Sequence, residues 1–487
     1  MRIADLTGRR VAIWGYGREG RAALAALRMR LPQSRISVFC SDAEATDFCR
    51  SGGSRDLGFD VAGKGKDRGY RRSYNSDDVP ASSDDGPTIA ITTPPDAAAL
   101  SAFDVVIKSP GIGAYRPEIL EAQHNGTLFT SGTALWFAEH PQARVIAVTG
   151  TKGKSTVSAL IAHFLRALGR RTALAGNIGM PLLELLDPPT LPDWWVVELS
   201  SFQTRAAPRV EVGVINNLDE EHLDWHGTRE RYAADKLALA DASQTLVVNA
   251  LQPEIVTRTV SHAHRVTFGE AQNWHVRDGA LFRADRRAFD VADLPITGPH
   301  NALNVCAALT ALEAAGEDAL GALPSVRSFR PLPHRLQDLG ERGGWNWIDD
   351  SIATTPQATL EALASLGGRD VTVLVGGHDR GLDWRAFAEA VSQAPPHAIV
   401  TMGASGGRVA RVLRETGGAY RLEMAGSFDE AVGAARQITP SGGVILMSPG
   451  APSFDQFRDY AERGRAFARL AGFDAVASDV IAGLGIA

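Results

Sequence analysis

Short apolar runs alternate with amphipathic stretches along most of the 487-residue chain. Apolar runs bounded by turn residues predict strands, and a repeat of about 3.6 residues predicts helices. The predicted strands are Val11–Gly15, Ile36–Cys40, Val105–Lys108, Arg144–Gly150, Trp194–Ser200, Val212–Asn216, Leu246–Asn249, Val371–Gly376, Ala398–Gly403 and Val444–Ser448. The predicted helices include Arg18–Arg30, Thr228–Ala242 and Asn301–Ala315. Strands that alternate with helices predict an α/β fold with mainly parallel sheets.

Residues 51–97 interrupt this alternation, because they are rich in Gly, Ser, Asp, Arg and Pro and lack apolar periodicity. Such a composition predicts a flexible surface insertion. The chain is also too long for one hydrophobic core, so we expect about two to four domains. One boundary is expected just before the strand that ends at Gly150, and another around Ser325–Pro333.

The charge, the apolar runs and the cysteines indicate which classes of partner and which cell compartment to expect. A net charge of −6 gives no basic surplus for nucleic acid or an anionic membrane, so we expect neither as a partner. Met1–Arg10 lacks an apolar signal region, and no later run is long enough to span a bilayer. Cys40, Cys49 and Cys306 have no metal-ligand spacing, which favours reduced thiols in a cytoplasmic protein.

A glycine-rich segment between a predicted strand and a predicted helix carries the strongest chemical signal. It consists of Gly150, Thr151, Lys152, Gly153, Lys154, Ser155 and Thr156. Small residues let backbone N–H groups close around phosphate oxygens, and the helix N-terminus adds partial positive charge. Lys154 can reach the terminal phosphates, and a hydroxyl of Ser155 or Thr156 can hold Mg²⁺. Val148 stands where the usual motif begins with glycine, so an ordinary turn is the alternative.

A second glycine-rich loop, with Gly15, Gly17 and Gly20, follows the first strand and opens a helix. These positions suit a tight turn, close approach to a ligand and close helix packing. With Asp42 as a ribose-binding acid, the loop could bind NAD. A turn without a ligand remains the alternative.

Polar residues at the ends of later strands are further candidates. Glu198 ends an apolar strand, where a carboxylate can hold Mg²⁺ or serve as a hydrogen-bonded structural group. His222 lies among four acidic residues, which a solvated loop would also explain. Lys236 falls in a predicted helix, where a surface lysine is the ordinary expectation.

Two polar clusters occur farther along the chain. Asn301 and Asn304 should lie on one face of a helix, with Asn301 near its N-cap. Arg335 follows a Pro-His pair and could face a phosphate. Taken singly, each of these residues also suits a structural role.

Taken together and in order, these segments resemble the Mur ligases of peptidoglycan synthesis. The resemblance runs almost end to end, except for roughly residues 43–100. It rests on GTKGKST (150–156), GNIGMP (176–181), ELSSFQ (198–203), EEHLD (220–224), ADKLAL (234–239), GPHNALN (298–304), LPHRLQ (332–337), DDSIATT (349–355) and SPGAPSFDQF (448–457).

The resemblance implies three domains. Residues 1–132 would be a Rossmann-like domain for a UDP-linked substrate, 133–330 a central P-loop domain for ATP, and 331–487 a Rossmann-like domain for glutamate. The implied enzyme is a cytoplasmic, monomeric, Mg²⁺- and ATP-dependent ligase that joins glutamate to UDP-N-acetylmuramoyl-L-alanine through an acyl phosphate. It would serve cell wall biogenesis, cell shape and cell division.

The resemblance also implies roles for individual residues. Lys154, His222 and Lys236 would be catalytic, with Lys236 converted to a carbamate. Mg²⁺ would be held by Ser155, Glu198, His222 and Lys236. ATP would contact residues 150–156 together with Asn301, Asn304, Arg335 and Asp350. The UDP-linked substrate would contact Gly15, Gly17, Arg18, Glu19, Ser41, Ser109, Pro110, Asn177, Gln203 and His222. Glutamate would contact Thr354, Arg380, Ser453, Phe454 and Tyr460.

The chain departs from the usual D-glutamate-adding pattern at the amino-acid site. Ile352 stands where that pattern has lysine, and Arg380 replaces another lysine. Phe454 and Tyr460 replace leucine and phenylalanine. A pocket for the other enantiomer must place its cations elsewhere, so the changes predict L-glutamate, with D-glutamate as the alternative.

Three competing hypotheses explain fewer of the motifs. They are an NAD-dependent oxidoreductase, a non-catalytic nucleotide-binding protein and a folate polyglutamating ligase.

Overall fold

The computed structural model describes residues 1–41, 44–45, 60–62, 88–219, 223–296, 298–475, 481 and 483–487. These residues form two compact units. The first comprises Met1–Leu294, Pro299–Arg327 and Gly483–Ala487, and the second comprises Pro295–Gly298 and Ser328–Ala482. Both combine helices with largely parallel sheets, which confirms the predicted α/β class.

The first unit begins with a parallel sheet built from short apolar runs. Its strands are β1 (Val11–Trp14), β2 (Ile36–Phe39), β3 (Asp60–Ala62), β4 (Ile89–Ile91), β5 (Val105–Lys108) and β6 (Leu128–Thr130). Their spatial order is β3-β4-β2-β1-β5-β6. Because β1 pairs with both β2 and β5, the loops that follow these strands meet at one edge of the sheet.

A larger sheet follows in the same unit. Its strands are β7 (Val145–Thr149), β8 (Thr172–Gly176), β9 (Trp194–Glu198), β10 (Val210–Ile215), β11 (Ser243–Asn249), β12 (Arg265–Phe268) and β22 (Gly485–Ile486). The order is β12-β11-β10-β7-β9-β8-β22, and only β22 runs antiparallel to its neighbour. The central strand β7 is buried along its whole length, which explains its continuous apolar run. The ends of β7, β9 and β10 therefore lie side by side.

A small antiparallel sheet completes the first unit. It consists of β13 (Trp274–Arg277), β14 (Ala280–Arg283) and β15 (Arg286–Asp290). The second unit has strands β16 (Gln337–Arg342), β17 (Trp345–Asp349), β18 (Val371–Val375), β19 (Ala398–Thr401), β20 (Arg421–Met424) and β21 (Val444–Met447). Their order is β16-β17-β21-β18-β19-β20, with only β16 antiparallel.

Helices pack on these sheets. In the first unit they are α1 (Arg18–Arg30), α2 (Ala97–Ser101), α3 (Pro117–His124), α4 (Gly132–Glu139), α5 (Lys154–Ala167), α6 (Leu223–His226), α7 (Arg229–Ala242), α8 (Pro253–Arg258), α9 (Pro299–Ala314) and α10 (Ala319–Ala322). In the second unit they are α11 (Pro356–Ser365), α12 (Arg385–Gln393), α13 (Gly403–Thr416), α14 (Phe428–Ile438) and α15 (Tyr460–Ala471).

The prediction of a surface insertion over residues 51–97 is wrong for its described parts. The strands β3 and β4 lie inside that range and extend the first sheet beyond β2. Thr88 is buried and accepts hydrogen bonds from the guanidinium of Arg28. These strands are too short to show periodicity. The remaining residues of the segment, and Asp42, lie outside the described part of the chain.

Candidate functional site

The glycine-rich loop lies between β7 and α5, as the sequence predicts. Gly153 has φ +76° and precedes the first turn of α5. A Cβ at this position would lie only 2.5 Å from Asn304 Oδ1, so a larger residue is excluded. Lys154 begins the helix, and its Nζ donates to the carbonyl of Thr151 at 2.8 Å. The loop therefore has the strand–loop–helix geometry of a phosphate site.

Two asparagines that the sequence reasoning did not single out brace this loop. Asn217 Oδ1 accepts from the backbone N–H of Lys152 at 2.7 Å. The side-chain amides of Asn216 and Asn217 both donate to the Lys152 carbonyl, at 3.1 and 3.0 Å. The sequence shows only that both residues follow a predicted strand, whereas their closeness to the loop comes from the pairing of β10 with β7.

The pairing expected within α9 is present. Asn304 Nδ2 donates to Asn301 Oδ1 at 3.0 Å, and Asn304 Oδ1 accepts from Asn216 at 2.9 Å. The helix begins at Pro299, so Asn301 lies within its first turn and not at its cap. Asn304 thus connects α9 to the phosphate loop.

Glu198 is the last residue of β9 and is 1 % exposed. Its Oε1 accepts from Asn177 Nδ2 at 2.8 Å. Its Oε2 is buried without a hydrogen-bond partner among the described residues. Leaving a buried carboxylate oxygen unpaired is costly, and a cation would relieve that cost. Glu198 therefore fits a hard cation such as Mg²⁺.

Lys236 is buried in α7, so the ordinary expectation of a surface lysine is wrong here. It is 2 % exposed, and its Nζ donates to the carbonyl of Gly150 at 2.8 Å. The ammonium lies 4.6 Å from the ring centroid of Tyr232, whose hydroxyl is 2.7 Å from Thr151 Oγ1. Helix α7 thus brings a buried amine against the phosphate loop.

The expected metal shell is described only in part. His222 and the neighbouring Glu220 and Glu221 lie outside the described residues. Within the described ranges, no three His, Cys, Asp or Glu side chains converge as a metal site. Ser155 is buried at the start of α5. Mg²⁺ commonly takes one or two carboxylates plus water and substrate phosphates, so a sparse protein shell suits it.

The loop after β1 packs against the loop after β5. Ser109 Oγ donates to the carbonyl of Gly15 at 3.1 Å. A Cβ at Gly15 would lie 2.8 Å from Ser109 Oγ. A Cβ at Gly20 would lie 1.9 Å from the Gly15 carbonyl oxygen. A Cβ at Gly17 would have no atom within 4 Å, which leaves open space at the start of α1.

Three more residues of the expected UDP-substrate site follow the first two strands, and two of them form hydrogen bonds within the first unit. Arg18 Nη1 donates to the carbonyl of Gly179 at 2.7 Å, and Ser41 bonds to Glu44 in a capping arrangement. Burial, and then the charge of Glu184, raise the pKa of Glu19 to about 7.

Two more of these residues serve as braces. Gln203 is buried between Thr133 and Ser200. The Pro110 carbonyl accepts from Trp225 Nε1 at 3.1 Å.

In the second unit, Asp350 follows β17. Ser448 Oγ donates to its Oδ2 at 2.7 Å, and the Leu336 N–H donates to its Oδ1 at 3.1 Å. Burial raises the pKa of Asp350 to about 7, and the hydrogen bond from Ser448 is the main influence that opposes this rise. The two hydrogen bonds hold the carboxyl group in a fixed orientation.

The residues expected to contact glutamate are unevenly exposed. Ser453 is buried, whereas Thr354, Arg380, Phe454 and Tyr460 are exposed. The Arg380 guanidinium lies 5.9 Å from the Phe454 ring centroid. Ile352, at the position of the usual lysine, is half-buried.

Arg463 is a buried cation in this unit that sequence reasoning missed. Its Nη2 donates to the carbonyls of Ser351 and Ala451, at 2.8 and 3.0 Å, and burial lowers its pKa to about 10. Its Nη1 has no partner among the described residues, and a Cβ at Gly377 would lie 3.1 Å away. Arg463 braces the loops that carry Ile352 and Ser453.

Comparisons with known proteins fit this geometry. Residues 148–312 match the model of the Mur ligase middle domain, and residues 334–450 match that of the Mur ligase glutamate ligase domain. The chain belongs to the Mur ligase family. Family membership removes the basis of the oxidoreductase hypothesis, which rested on the Gly15 loop and Asp42.

Two relatives of this Mur ligase carry the same name, UDP-N-acetylmuramoyl-L-alanine–L-glutamate ligase. The protein from Xanthomonas euvesicatoria pv. vesicatoria is 46 % identical, with all of both chains covered. The protein from a Micromonospora species is 36 % identical, with 96 % of this chain and 97 % of its own covered.

Solved structures support the three-domain α/β fold. UDP-N-acetylmuramate–alanine ligase from Thermotoga maritima has a TM-score of 0.59 at 18 % identity, covering 95 % of this chain and 98 % of its own. Mycobacterium tuberculosis folylpolyglutamate synthase in complex with ADP has a TM-score of 0.53 at 17 % identity, covering 70 % and 93 %. Among the described residues, no helix has both the length and the apolar character needed to cross a membrane.

Proposed function

We propose that this Mur ligase uses ATP to join L-glutamate to UDP-N-acetylmuramoyl-L-alanine. The observation that carries the proposal is the phosphate loop with two buried ionisable side chains in the same unit, Glu198 at the end of β9 and Lys236 on α7. The name shared by the relatives supports the substrates. The proposed domains are 1–132 for the UDP-linked substrate, 133–330 for ATP and 331–487 for glutamate.

The reaction must convert a poor acyl donor into a good one. The alanyl carboxylate attacks the γ-phosphorus of ATP, ADP leaves, and an acyl phosphate forms. The glutamate amine then attacks the carbonyl carbon, loses a proton, and expels phosphate. Negative charge gathers on the phosphoryl oxygens in the first step. Lys154 and the N–H groups at the start of α5 would stabilise that charge.

Mg²⁺ would neutralise phosphate charge, held by Glu198, Ser155, His222 and a Lys236 carbamate. The Lys236 amine forms this carbamate by adding to CO₂ and losing a proton, which turns a buried cation into an anionic oxygen ligand. Glu198 Oε2, without a partner among the described residues, is the atom best suited to the cation. Asn177 would orient Glu198 through its amide. Asn301, Asn304, Arg335 and Asp350 would hold the rest of ATP.

The choice of L-glutamate is supported by the second unit. Ile352 cannot pair with a substrate carboxylate, and Arg380 carries its charge on a longer, planar group than lysine. With Thr354, Ser453, Phe454 and Tyr460, these residues would form a pocket whose cations are placed differently from those of a D-glutamate site. The same reaction with D-glutamate is the alternative.

The test is a competition between isotopically distinguished L- and D-glutamate with ATP, Mg²⁺ and UDP-N-acetylmuramoyl-L-alanine. We expect L-glutamate to be preferred by at least about 100-fold in kcat/KM, because an unpaired carboxylate is poorly tolerated. The double variant Ile352→Lys, Arg380→Lys should lose L-glutamate activity and keep its KM for ATP. Predominant D-glutamate in the product would reverse the stereochemical assignment and leave the ligase reaction standing.

A further inference from the structure

Asp235 is a buried carboxylate on α7 that precedes Lys236 and has no role in the assignments above. It is 2 % exposed, and three side chains from other elements of the first unit donate to it. Tyr115 Oη donates to Oδ1 and Oδ2 at 2.8 and 3.0 Å, and His226 Nδ1 donates to Oδ2 at 2.7 Å. Arg205 Nε donates to Oδ1. Several charge-assisted hydrogen bonds leave a buried carboxylate little freedom, so the position of Asp235 is fixed.

The donors to Asp235 belong to three separate elements. Tyr115 lies in the loop after β5, Arg205 in the segment after β9, and His226 at the end of α6. His226 is fully buried, and its Nε2 lies 3.0 Å from Oγ of Ser201, which also follows β9. The Asp235 carboxylate therefore connects α7 to the ends of two strands and to α6.

The same contacts fix the rotation of α7 about its own axis. Thr204 Oγ1 donates to the backbone carbonyl of Asp235 at 2.5 Å, which adds a second anchor at this position. Successive side chains on an α-helix point about 100° apart, so the face that Asp235 presents to its donors sets the direction of Lys236. Lys236 is 2 % exposed, and its Nζ donates to the Gly150 carbonyl at 2.8 Å. A rotated helix would move this amine away from the phosphate loop.

We propose that Asp235 is a positioning residue that sets the rotation of α7 and thereby holds Lys236 against the phosphate loop. The inference rests on the proposed function, in which Lys236 becomes a carbamate. A displacement of about 1 Å at a reacting centre can cost about 100-fold in rate, so the placement of this side chain matters for turnover. Tyr115 contributes to the same placement, because it reaches Asp235 from outside the helix.

Steady-state kinetics of ligation test the proposal, with each variant made in the wild type and in a Lys236→Ala background. Tyr115→Phe removes one hydroxyl donor and keeps the ring that contacts Trp225 edge to face. Asp235→Asn should lose about 10- to 100-fold in kcat and Tyr115→Phe about 3-fold, while the KM for the UDP-linked substrate changes by less than about twofold. In the Lys236→Ala background, which has no amine to position, each substitution should cost less than about twofold.

The carbamate provides a second, spectroscopic measurement. Wild-type protein equilibrated with ¹³C-labelled bicarbonate should show a carbamate carbon resonance that Lys236→Ala lacks. The resonance should be clearly weaker in Asp235→Asn, because a displaced Lys236 no longer lies in the buried site beside Gly150. Asp241→Asn changes an exposed carboxylate on the same helix and is the matched control, so it should keep the wild-type kcat and resonance.

The two backgrounds separate a positioning role from a purely structural one. An equal fold-loss in kcat from Asp235→Asn with and without the Lys236 amine, or an undiminished resonance in folded Asp235→Asn, would overturn the proposal. If Asp235→Asn does not fold, Tyr115→Phe is judged by the same two criteria. A wild-type protein without the resonance, or a Lys236→Ala variant as active as wild type, would instead overturn the proposed carbamate and this inference with it.

Discussion

Glu198→Gln isolates the charge of the carboxylate from its shape. In the wild type, Asn177 Nδ2 donates to Glu198 Oε1 at 2.8 Å. The glutamine oxygen can accept the same hydrogen bond, and the glutamine side chain fits the same buried space. The substitution removes the negative charge and puts a neutral amide nitrogen in place of Oε2, the oxygen without a partner among the described residues. Without metal, an unpaired buried neutral group costs about 1–3 kcal/mol and a charged one more, so the variant should be at least as stable as wild type.

Nucleotide binding should reverse that order. A ligand present at about 100 times its Kd stabilises the folded state by about 2.7 kcal/mol. For a domain of about 200 residues this corresponds to a rise in Tm of about 5–10 °C. Mg²⁺ with a non-hydrolysable ATP analogue should give wild type such a shift. Glu198→Gln should lose most of this shift, because the carboxylate that would hold the cation is absent.

Thermal unfolding followed by scanning calorimetry, with and without Mg²⁺ and the analogue, measures both effects. Glu230→Gln is a suitable control because Glu230 is an exposed carboxylate on α7 in the same unit. The control should show the full wild-type shift. A shift as large in Glu198→Gln as in wild type would refute the role of Glu198 in the metal shell. A metal-free variant several degrees less stable than wild type would instead mean that the charge has a structural role.

Two further predictions use other buried charges. Lys236→Ala should lose at least about 100-fold in kcat, with partial recovery by short carboxylic acids that replace the carbamate. Lys154→Ala, which loses a cation, should not recover with these acids, and equal recovery of both variants would contradict the carbamate hypothesis. Burial raises the pKa of Glu19 from 4.5 to about 7, so the folded protein favours the neutral carboxyl group. The contribution of Glu19 to stability is therefore fully present below pH 4.5 and is lost as the pH rises through 7. Glu19→Gln should therefore gain about 3 kcal/mol on wild type between pH 4 and pH 8.5, measured by unfolding. The exposed Glu121→Gln should show no such trend, and a gain that does not depend on pH would rule out titration of Glu19 as its cause.

Local patterns in the sequence were sufficient to predict much of the fold. The helix α1 was predicted at Arg18–Arg30, where it is found, because a glycine loop and a strong apolar face mark its start and course. The strand β9 ends at Glu198, two residues before the predicted end, because the polar residues after it already form the loop. The short strands β3 and β4 gave no signal, since their stability comes from pairing with β2 and not from their own residues.

The candidate site was less predictable where a residue depends on distant neighbours. Glu198 could be named from its place at a strand end, but its unpartnered Oε2 depends on how Asn177 packs. Asn216 and Asn217 brace the phosphate loop because β10 pairs with β7, which the chain order does not reveal. Arg463 lies in an ordinary amphipathic helix, and its contacts with Ser351 and Ala451 join segments far apart in sequence.

The site combines a rigid framework with uncompensated charge, and the two have different physical roles. The phosphate loop is already braced by Asn216 and Asn217, so binding a nucleotide need not order it. Glu198 Oε2, by contrast, is buried without a hydrogen-bond partner among the described residues. A cation at this oxygen would supply the missing partner. The binding of Mg²⁺–ATP would then draw part of its electrostatic energy from a group that the folded protein holds at a cost.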